Sequence, residues 1–331
     1  MTYARPVFHV LLALVSIGAP AATAQPDAAL VQRLDSIAGA GVRENRAVGI
    51  AVAVVKGKDT LLLEAYGKSN VEGDVAMTVD TVIPLGSVTK QFTAAAIVQL
   101  RDQGKLSLDD DITKWRPDFE TRGNKMTLRH LLGHTSGITN LGAMRELREM
   151  RLFTNPSATR DDVYKVINRY PFQFPTGTME IYSNTDFWLL GLVIEKASGM
   201  TYEDYVEKKI FEPLGMTRSM YCNNSENIPR HAYGYFMRNG ISRRLPDILP
   251  IGTYAAGALC STAKDMITWL QALHGGKALP PRSYAEMIAP SKVNDGTPLR
   301  YSMGLSVGED RCGLRYIGHD GGGFGFSSVA N

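Results

Sequence analysis

The chain has no strong excess of charge, and none of its segments is apolar over the length of a membrane span. Its 331 residues include 36 Lys and Arg against 33 Asp and Glu, so that the formal net charge is only +3. So small a charge gives no indication of a polyanionic partner such as nucleic acid. Internal repeats and low-complexity tracts are also lacking. The composition, with 44% hydrophobic and 21% charged residues, is typical of a globular protein.

Cysteine is scarce in this sequence. The three cysteines, Cys222, Cys260 and Cys312, are too few and odd in number to define a disulfide framework. One disulfide with one thiol left over stays open, and the sequence does not choose the pair. No catalytic role is predicted for any of them, since none has a histidine close by in the sequence.

The first residues predict export. Arg5 is followed by an apolar run over residues 7–17 and then by the small residues Ala22-Thr23-Ala24, a pattern typical of a secretory signal over residues 1–24. The run is shorter than the roughly 20 apolar residues of a membrane span. We therefore expect a periplasmic or secreted protein without a stable membrane anchor.

Hydrophobic periodicity predicts strands at both ends of the chain and helices in the middle. A helix over residues 28–40 leads into a strand hairpin over 49–55 and 60–66, and a helix over 88–103 follows. Further helices are predicted over 127–132, 160–168, 184–197, 202–210 and 263–273, and late strands over 301–307, 314–318 and 326–330, the last two flanking Gly321-Gly322-Gly323.

This order of elements predicts an α+β fold built from two lobes. We expect residues 25–105 and 290–331 to form a sheet domain from both chain ends, with helices flanking an antiparallel sheet. Residues 106–289 are expected to form a mainly helical inserted domain. A cleft would lie where the two lobes meet.

Three short segments carry the chemistry: Ser87-Val88-Thr89-Lys90, Tyr182-Ser183-Asn184 and His319-Asp320-Gly321. Ser87 and Lys90 share one face of a helix, so that the amine can accept the hydroxyl proton if burial or a neighbouring cation disfavours its charged form. Tyr182, flanked by Lys90 and His319, is expected to favour its phenolate form and to deprotonate the water that releases the acyl group.

The remaining residues of these segments are candidates for substrate binding. The backbone amides of Ser87 and Gly322 are predicted to form the oxyanion hole. Asn184 offers a donor and an acceptor to a substrate amide. Together with His319, Asp320 and Gly321, Asn184 completes the predicted binding site, and the glycine allows the backbone to approach a substrate edge-on.

No metal site is predicted. His130 and His134 are four residues apart, but no acidic residue that could act as a base lies between them as in zinc hydrolases. We expect these histidines to fix the following turn, Thr135-Ser136-Gly137, through hydrogen bonds.

The catalytic segments lie within longer motifs that are typical of one group of enzymes. These are Ile83-Pro84-Leu85-Gly86-Ser87-Val88-Thr89-Lys90, Leu131-Leu132-Gly133-His134-Thr135-Ser136-Gly137-Ile138, Pro175-Thr176-Gly177 and Phe211-Glu212-Pro213-Leu214-Gly215-Met216. From about Leu34 to its end the chain resembles the serine β-lactamase and penicillin-binding superfamily, in the branch of class C β-lactamases, D-alanyl-D-alanine carboxypeptidases and β-lactamase-like esterases.

The resemblance implies a β-lactamase/transpeptidase-like fold, with a five-stranded-type antiparallel sheet beside an all-helical domain. It also implies an acyl-serine intermediate on Ser87 and no metal or organic cofactor. The expected partner is a small-molecule, peptide or ester substrate, and the oligomeric state stays open.

Two departures from the family pattern bear on function. His319-Asp320-Gly321 replaces the Lys-Thr-Gly of class C β-lactamases, and an acidic Asp320 facing the cleft would repel a substrate carboxylate. We therefore favour a carboxypeptidase-like or esterase-like hydrolase over a class C-type β-lactamase. Whether Asp320 faces the cleft stays open.

The second departure is the ending. Members of the family continue with a further strand and a helix, so that the resemblance suggests a truncated chain with an exposed sheet edge. An inactive homologue that binds cell-wall fragments is therefore the alternative from another class of function.

Overall fold

The computed structural model describes residues 28–222, 228–238, 240–309 and 311–331, and the predicted signal over residues 1–24 lies outside them. The helices are α1 (Ala28–Arg43), α2 (Thr89–Asp102), α3 (Ile112–Trp115), α4 (Leu128–Leu132), α5 (Arg145–Glu149), α6 (Arg160–Arg169), α7 (Asn184–Ser198), α8 (Tyr202–Val206), α9 (Glu212–Leu214), α10 (Tyr254–Gly257), α11 (Ala263–His274) and α12 (Pro281–Met287). The strands are β1 (Gly49–Lys56), β2 (Asp59–Asn70), β3 (Val75–Ala76), β4 (Ile83–Pro84), β5 (Met220–Tyr221), β6 (Tyr235–Arg238), β7 (Ile241–Arg244), β8 (Leu259–Ser261), β9 (Ser306–Glu309), β10 (Arg315–Gly323) and β11 (Phe326–Ala330).

The strands pair antiparallel in small sheets. Their orders are β1-β2-β3, β11-β10-β9, β4-β8-β5 and the hairpin β6-β7. The predicted hairpin near the N-terminus is present, with Gly49 opposite Gly67 and Lys56 opposite Asp59. Together with the helices between the two sets of strands, this arrangement confirms the predicted α+β class. The division into two domains at the stated boundaries stays a prediction.

The single five-stranded sheet that we expected is not continuous among the described residues. Strands β1 and β11 belong to different three-stranded sheets. Both line one cleft of about 310 Å³, whose walls include Ile50 and Ala53 of β1 and Val329 of β11. The two strands therefore face each other across a gap and do not share hydrogen bonds.

The late strands differ in two ways from the prediction. Residues 301–305 form a turn in which Ser302 N donates to Leu305 O (2.7 Å) and Gly304 has φ +70°, so that β9 begins only at Ser306. Strand β10, in turn, runs through His319 to Gly323 instead of ending before the glycines, and the turn that follows contains Phe324 (φ +52°).

Helix α2, which begins just after the predicted nucleophile, lies at the centre of the core. Its Phe92 stacks on Trp269 of α11 at 4.0 Å between ring centroids, and Trp269 Nε1 donates to Gln91 Oε1 (2.8 Å). Both rings are fully buried, and burial of each stabilises the fold by about 1.5–3 kcal/mol. The start of α2 is therefore anchored in the buried core.

A disulfide joins Cys222, just after β5, to Cys260 of β8. Cys312 is exposed and lies outside this disulfide. This selects one pairing from those that the sequence left open. In the described part of the chain, no helix combines the length and the apolar character needed to cross a membrane.

Candidate active site

The predicted nucleophile lies at the entrance to α2. Residues Gly86–Val88 form a 3-10 turn that leads directly into the helix at Thr89. Because Lys90 follows Ser87 by one helical turn, its Nζ comes within 2.9 Å of Ser87 Oγ. The structure thus brings the predicted hydroxyl and amine into hydrogen-bond contact.

The amine of Lys90 is fully buried and is held by two further acceptors. Its Nζ donates to Asn184 Oδ1 (2.7 Å) and to the backbone oxygen of Ala256 (2.8 Å). Burial lowers the pKa of Lys90 well below its usual value, although the carboxylate of Asp320 opposes this shift. A neutral amine that donates to Asn184 and Ala256 directs its lone pair toward Ser87.

Tyr182 also contacts the nucleophile. Its hydroxyl donates to Ser87 Oγ at 2.7 Å, and Lys90 Nζ lies 4.8 Å from the centroid of its ring. Partial desolvation of this side chain, which is still 37% exposed, raises the pKa of Tyr182, and the negative charge of Asp320 raises it further. The expectation of a favoured phenolate is therefore wrong, because a neutral amine supplies no charge to offset this desolvation.

Asn184 has a different environment from the one expected of a purely substrate-binding residue. It is the first residue of α7, and its Oδ1 already accepts from Lys90 (2.7 Å). The carbonyl half of this amide is thus engaged within the protein and fixes the position of the amine.

The β10 segment lies beside Ser87 and Tyr182. His319 is buried, its Nε2 lies 3.0 Å from the hydroxyl of Tyr301, and its ring centroid is 5.9 Å from that of Tyr182. Burial lowers the pKa of His319 to about 4, so that the ring is neutral at pH 7. Asp320, next in the strand, is exposed, and its charge acts on Lys90 and Tyr182.

Strand β10 and the turn of Gly86–Val88, called the nucleophile turn below, approach each other closely enough that only glycine fits between them. A Cβ placed on Gly321 would lie 2.2 Å from Leu85 O and 2.9 Å from Ser87 N, and one on Gly86 would lie 3.0 Å from Gly322 N. The two amides predicted for the oxyanion hole, those of Ser87 and Gly322, therefore belong to segments in direct backbone contact.

Replacement of Gly321 by Ala should displace β10 from the nucleophile turn. Misplacement of one oxyanion donor typically costs about 10²-fold in kcat, and we expect a loss of this size. Gly308→Ala is the control, since a Cβ on Gly308 of the neighbouring β9 meets nothing within 4 Å. Steady-state kinetics on both variants would check this, and a wild-type kcat for Gly321→Ala would contradict it.

A small apolar recess opens beside the nucleophile turn. It has a volume of about 60 Å³, and its walls include Ile248, Thr253, Phe324 and Phe326 next to Gly322. Phe324 also packs on Phe153 at 5.0 Å between ring centroids. Sequence reasoning missed this recess because its side chains come from segments with no shared motif.

The two histidines considered as metal ligands have separate partners. His130 Nδ1 accepts from Thr127 N (3.1 Å) in the cap of α4, whereas His134 Nδ1 lies 3.0 Å from Asp186 Oδ2. The His130 side chain thus caps α4, and only its backbone oxygen contacts the following turn, where it accepts from Thr135 N (2.9 Å). The side chain of His134 is linked to that turn through Asp186, which accepts from Ser136 Oγ (2.6 Å). Within the described ranges, no cluster of three His, Cys, Asp or Glu side chains could hold a metal ion.

Comparison with known proteins gives one family and several relatives. The family model described as Beta-lactamase matches residues 33–330. A penicillin-binding protein of Bacillus subtilis is 28% identical over 84% of this chain and 64% of its own length. Esterase EstB of Burkholderia gladioli is 28% identical over 85% of this chain and 79% of its own length.

A solved structure supports the same fold. The D-stereospecific amidohydrolase from a Streptomyces species is similar at a TM-score of 0.74 and 28% identity, over 92% of this chain and 90% of that one. Against several curated relatives, this chain spans only about half to two thirds of their length (64%, 53% and 52%).

Proposed function

Because the chain belongs to the Beta-lactamase family, a family of serine hydrolases, we propose that it cleaves an ester or amide bond through an acyl intermediate on Ser87. The observation that carries this proposal is the pair of contacts at one hydroxyl. Ser87 Oγ lies 2.9 Å from Lys90 Nζ and 2.7 Å from the Tyr182 hydroxyl. This is the geometry that an activated nucleophile needs.

Acylation begins with a proton transfer. Tyr182 donates to Ser87 Oγ, which leaves the serine proton free to point at the lone pair of Lys90. As Oγ bonds to the substrate carbonyl carbon, Nζ takes that proton, and the carbonyl electrons move onto the oxyanion. Collapse of the intermediate breaks the bond to the leaving group, which receives the proton from Lys90 directly or through the Tyr182 hydroxyl.

Deacylation reverses these roles. Lys90, neutral again, accepts a proton from a water that attacks the acyl carbon, and Ser87 Oγ leaves with that proton. The raised pKa of Tyr182 favours a neutral phenol that passes a proton on while it receives another. Asn184 and Ala256 keep the amine in place through both steps.

The surroundings of the nucleophile favour a neutral substrate with a modest apolar group. Asp320 places an exposed negative charge on β10, and the recess beside Gly322 offers apolar walls from Phe324 and Phe326. An ester, an amide or a peptide end without a nearby carboxylate suits this pair of features. The relatives of this chain include proteins named as an esterase and a D-aminopeptidase.

The export signal and the two-lobe division belong to the same proposal. A secretory signal over residues 1–24 would deliver the enzyme to an oxidising compartment, where the Cys222–Cys260 disulfide can persist. The cleft would then be formed by the sheet domain of residues 25–105 and 290–331 and the helical domain of residues 106–289.

The proposal is tested by intact mass spectrometry of the protein after incubation with a p-nitrophenyl ester, a D-amino acid amide and a penicillin. We expect an added acyl mass on Ser87 with at least one of them, and release of product from the ester or the amide. Consumption of penicillin without adduct would instead mark a β-lactamase. No adduct and no product with any compound would favour a binding domain.

Replacement of Asp320 by Asn should shift the substrate preference. The ratio of kcat/KM for penicillin to that for a neutral ester should rise about 1.4- to 5-fold, because repulsion between exposed charges is worth about 0.2–1 kcal/mol. Added salt should reduce the difference between variant and wild type. Asp161→Asn, on the exposed face of α6, is the control, and an unchanged ratio for Asp320→Asn would rule out this role.

A further inference from the structure

A buried polar pair beneath Tyr182 has no part in the mechanism above. His134, which follows α4, and Asp186, in the first turn of α7, are both fully enclosed, and their Nδ1 and Oδ2 atoms are 3.0 Å apart. Buried ionisable groups are costly unless they are paired, and they concentrate at functional sites. The pair therefore needs an explanation.

His134 contacts the segment that carries Tyr182 in three ways. Its ring lies 4.4 Å from the Tyr182 ring between centroids. Its backbone oxygen accepts from Ile181 N (3.0 Å), and its Nδ1 accepts from Ser183 N (3.3 Å). The residues on both sides of Tyr182 and the ring of Tyr182 itself are thus fixed by one histidine.

Asp186 fixes the histidine in turn. One carboxyl oxygen faces His134 Nδ1, and the other accepts from Ser136 Oγ (2.6 Å), which itself accepts from Ile138 N (3.1 Å). His134 has φ +58°, in the left-handed region, where a residue other than glycine typically costs about 1–3 kcal/mol. The surrounding hydrogen bonds hold the loop in this unfavourable conformation.

The contacts also indicate where the proton lies. Nδ1 can accept from the Ser183 amide only while it carries no proton. An unprotonated Nδ1 that lies 3.0 Å from Asp186 Oδ2 needs a proton between the two atoms, and that proton then belongs to Asp186. Burial acts in the same direction, since it raises the pKa of Asp186 and lowers that of His134. The carboxyl group is thus a neutral acid that donates with one oxygen and accepts with the other.

We propose that Asp186 and His134 are positioning residues, with Asp186 as a neutral hydrogen-bonding acid that holds His134 against Tyr182 and thereby sets the rate of proton transfer at Ser87. This inference rests on the proposed acyl-Ser87 chemistry. It adds a pair that contacts neither the substrate nor Ser87.

The test compares two substitutions of Asp186. Asn can reproduce a neutral acid, since its amide donates to His134 and its oxygen accepts from Ser136, so Asp186→Asn should keep kcat within about 3-fold. Asp186→Ala loses both contacts and should lower kcat about 10- to 100-fold with little change in KM, because Tyr182 is no longer held in place. An equal loss in both variants would overturn the neutral-acid role.

Thr185→Val is the matched control for stability. Thr185 is also buried in the first turn of α7, and its Oγ1 donates to Thr139 O (2.8 Å) and accepts from Leu141 N (2.7 Å), away from the site. The Thr185→Val variant should lower the melting temperature about as much as Asp186→Ala does, but it should keep the wild-type kcat. If Asp186→Ala also keeps kcat, the pair is purely structural and the inference fails.

A readout without turnover separates this inference from the proposed function. In ¹⁵N NMR spectra of the histidine rings, assigned with His134→Gln, we expect Nδ1 of His134 to be unprotonated and the ring not to titrate from about pH 5 to 8. Asp186→Asn should keep this spectrum. A protonated Nδ1 would overturn the inference even in an active enzyme, whereas the expected spectrum in an inactive protein would contradict only the proposed function.

Discussion

Ser87→Ala should reduce turnover of every substrate by about 10⁴-fold or more and abolish any covalent adduct. The hydroxyl is the group that we propose bonds to the substrate, and both Lys90 and Tyr182 contact it. Loss of the attacking atom cannot be compensated by the amine, which is enclosed in the protein. Steady-state kinetics and intact mass spectrometry on the same samples would measure both effects.

The matched control for this variant is Ser198→Ala. Ser198 is half-buried at the end of α7, and its hydroxyl contacts only its local backbone, at Met200. It should retain wild-type kcat and labelling. Turnover that survives in Ser87→Ala at the wild-type rate would show that another group is the nucleophile and would reject the proposed mechanism.

Lys90→Met should lower kcat/KM by about 10³-fold and remove the acidic limb of its pH profile. In the wild-type enzyme, only the neutral amine can accept the proton of Ser87. Its pKa lies well below the usual value because of burial, so activity should fall as the pH drops through that lowered pKa and should be retained above it. A profile recorded from about pH 5 to 10 would locate the limb.

Two controls identify the titrating group. Lys208→Met removes an exposed lysine that is paired with Asp204, and it should change neither the rate nor the profile. Asp186→Asn removes a buried acid near the amine and should keep the acidic limb. If the limb persisted in Lys90→Met at a near-normal rate, the base would have to be a different residue.

Much of the candidate site was predicted from local sequence alone. The spacing of Ser87 and Lys90 fixes their contact as soon as a helix begins there, and the motif order made Tyr182 the third member. The protonation state of Tyr182 was predicted wrongly, because it depends on the charge state of Lys90 and on the partial desolvation caused by neighbouring segments. The Ala256 carbonyl was missed for a related reason, since a backbone acceptor has no side-chain signature.

The fold shows the same division between local and long-range information. Amphipathic helices such as α6 and α11 were placed within one or two residues, because their apolar spacing and caps are local. The segment over 301–305 was wrongly predicted as a strand, since its apolar residues are buried in a turn that depends on Gly304 and on contacts with α2. The gap between β1 and β11 depends on pairing across the whole chain, which periodicity does not report.

The Cys222–Cys260 disulfide bears on how the protein should be produced. Cys260 lies four residues after Ala256, whose backbone oxygen holds the Lys90 amine, and the crosslink ties that stretch to β5. In a reducing cytosol the crosslink would not form. An expression host that secretes the chain through an oxidising compartment is therefore the suitable source of enzyme for kinetic work, and reductants should be left out of its buffers.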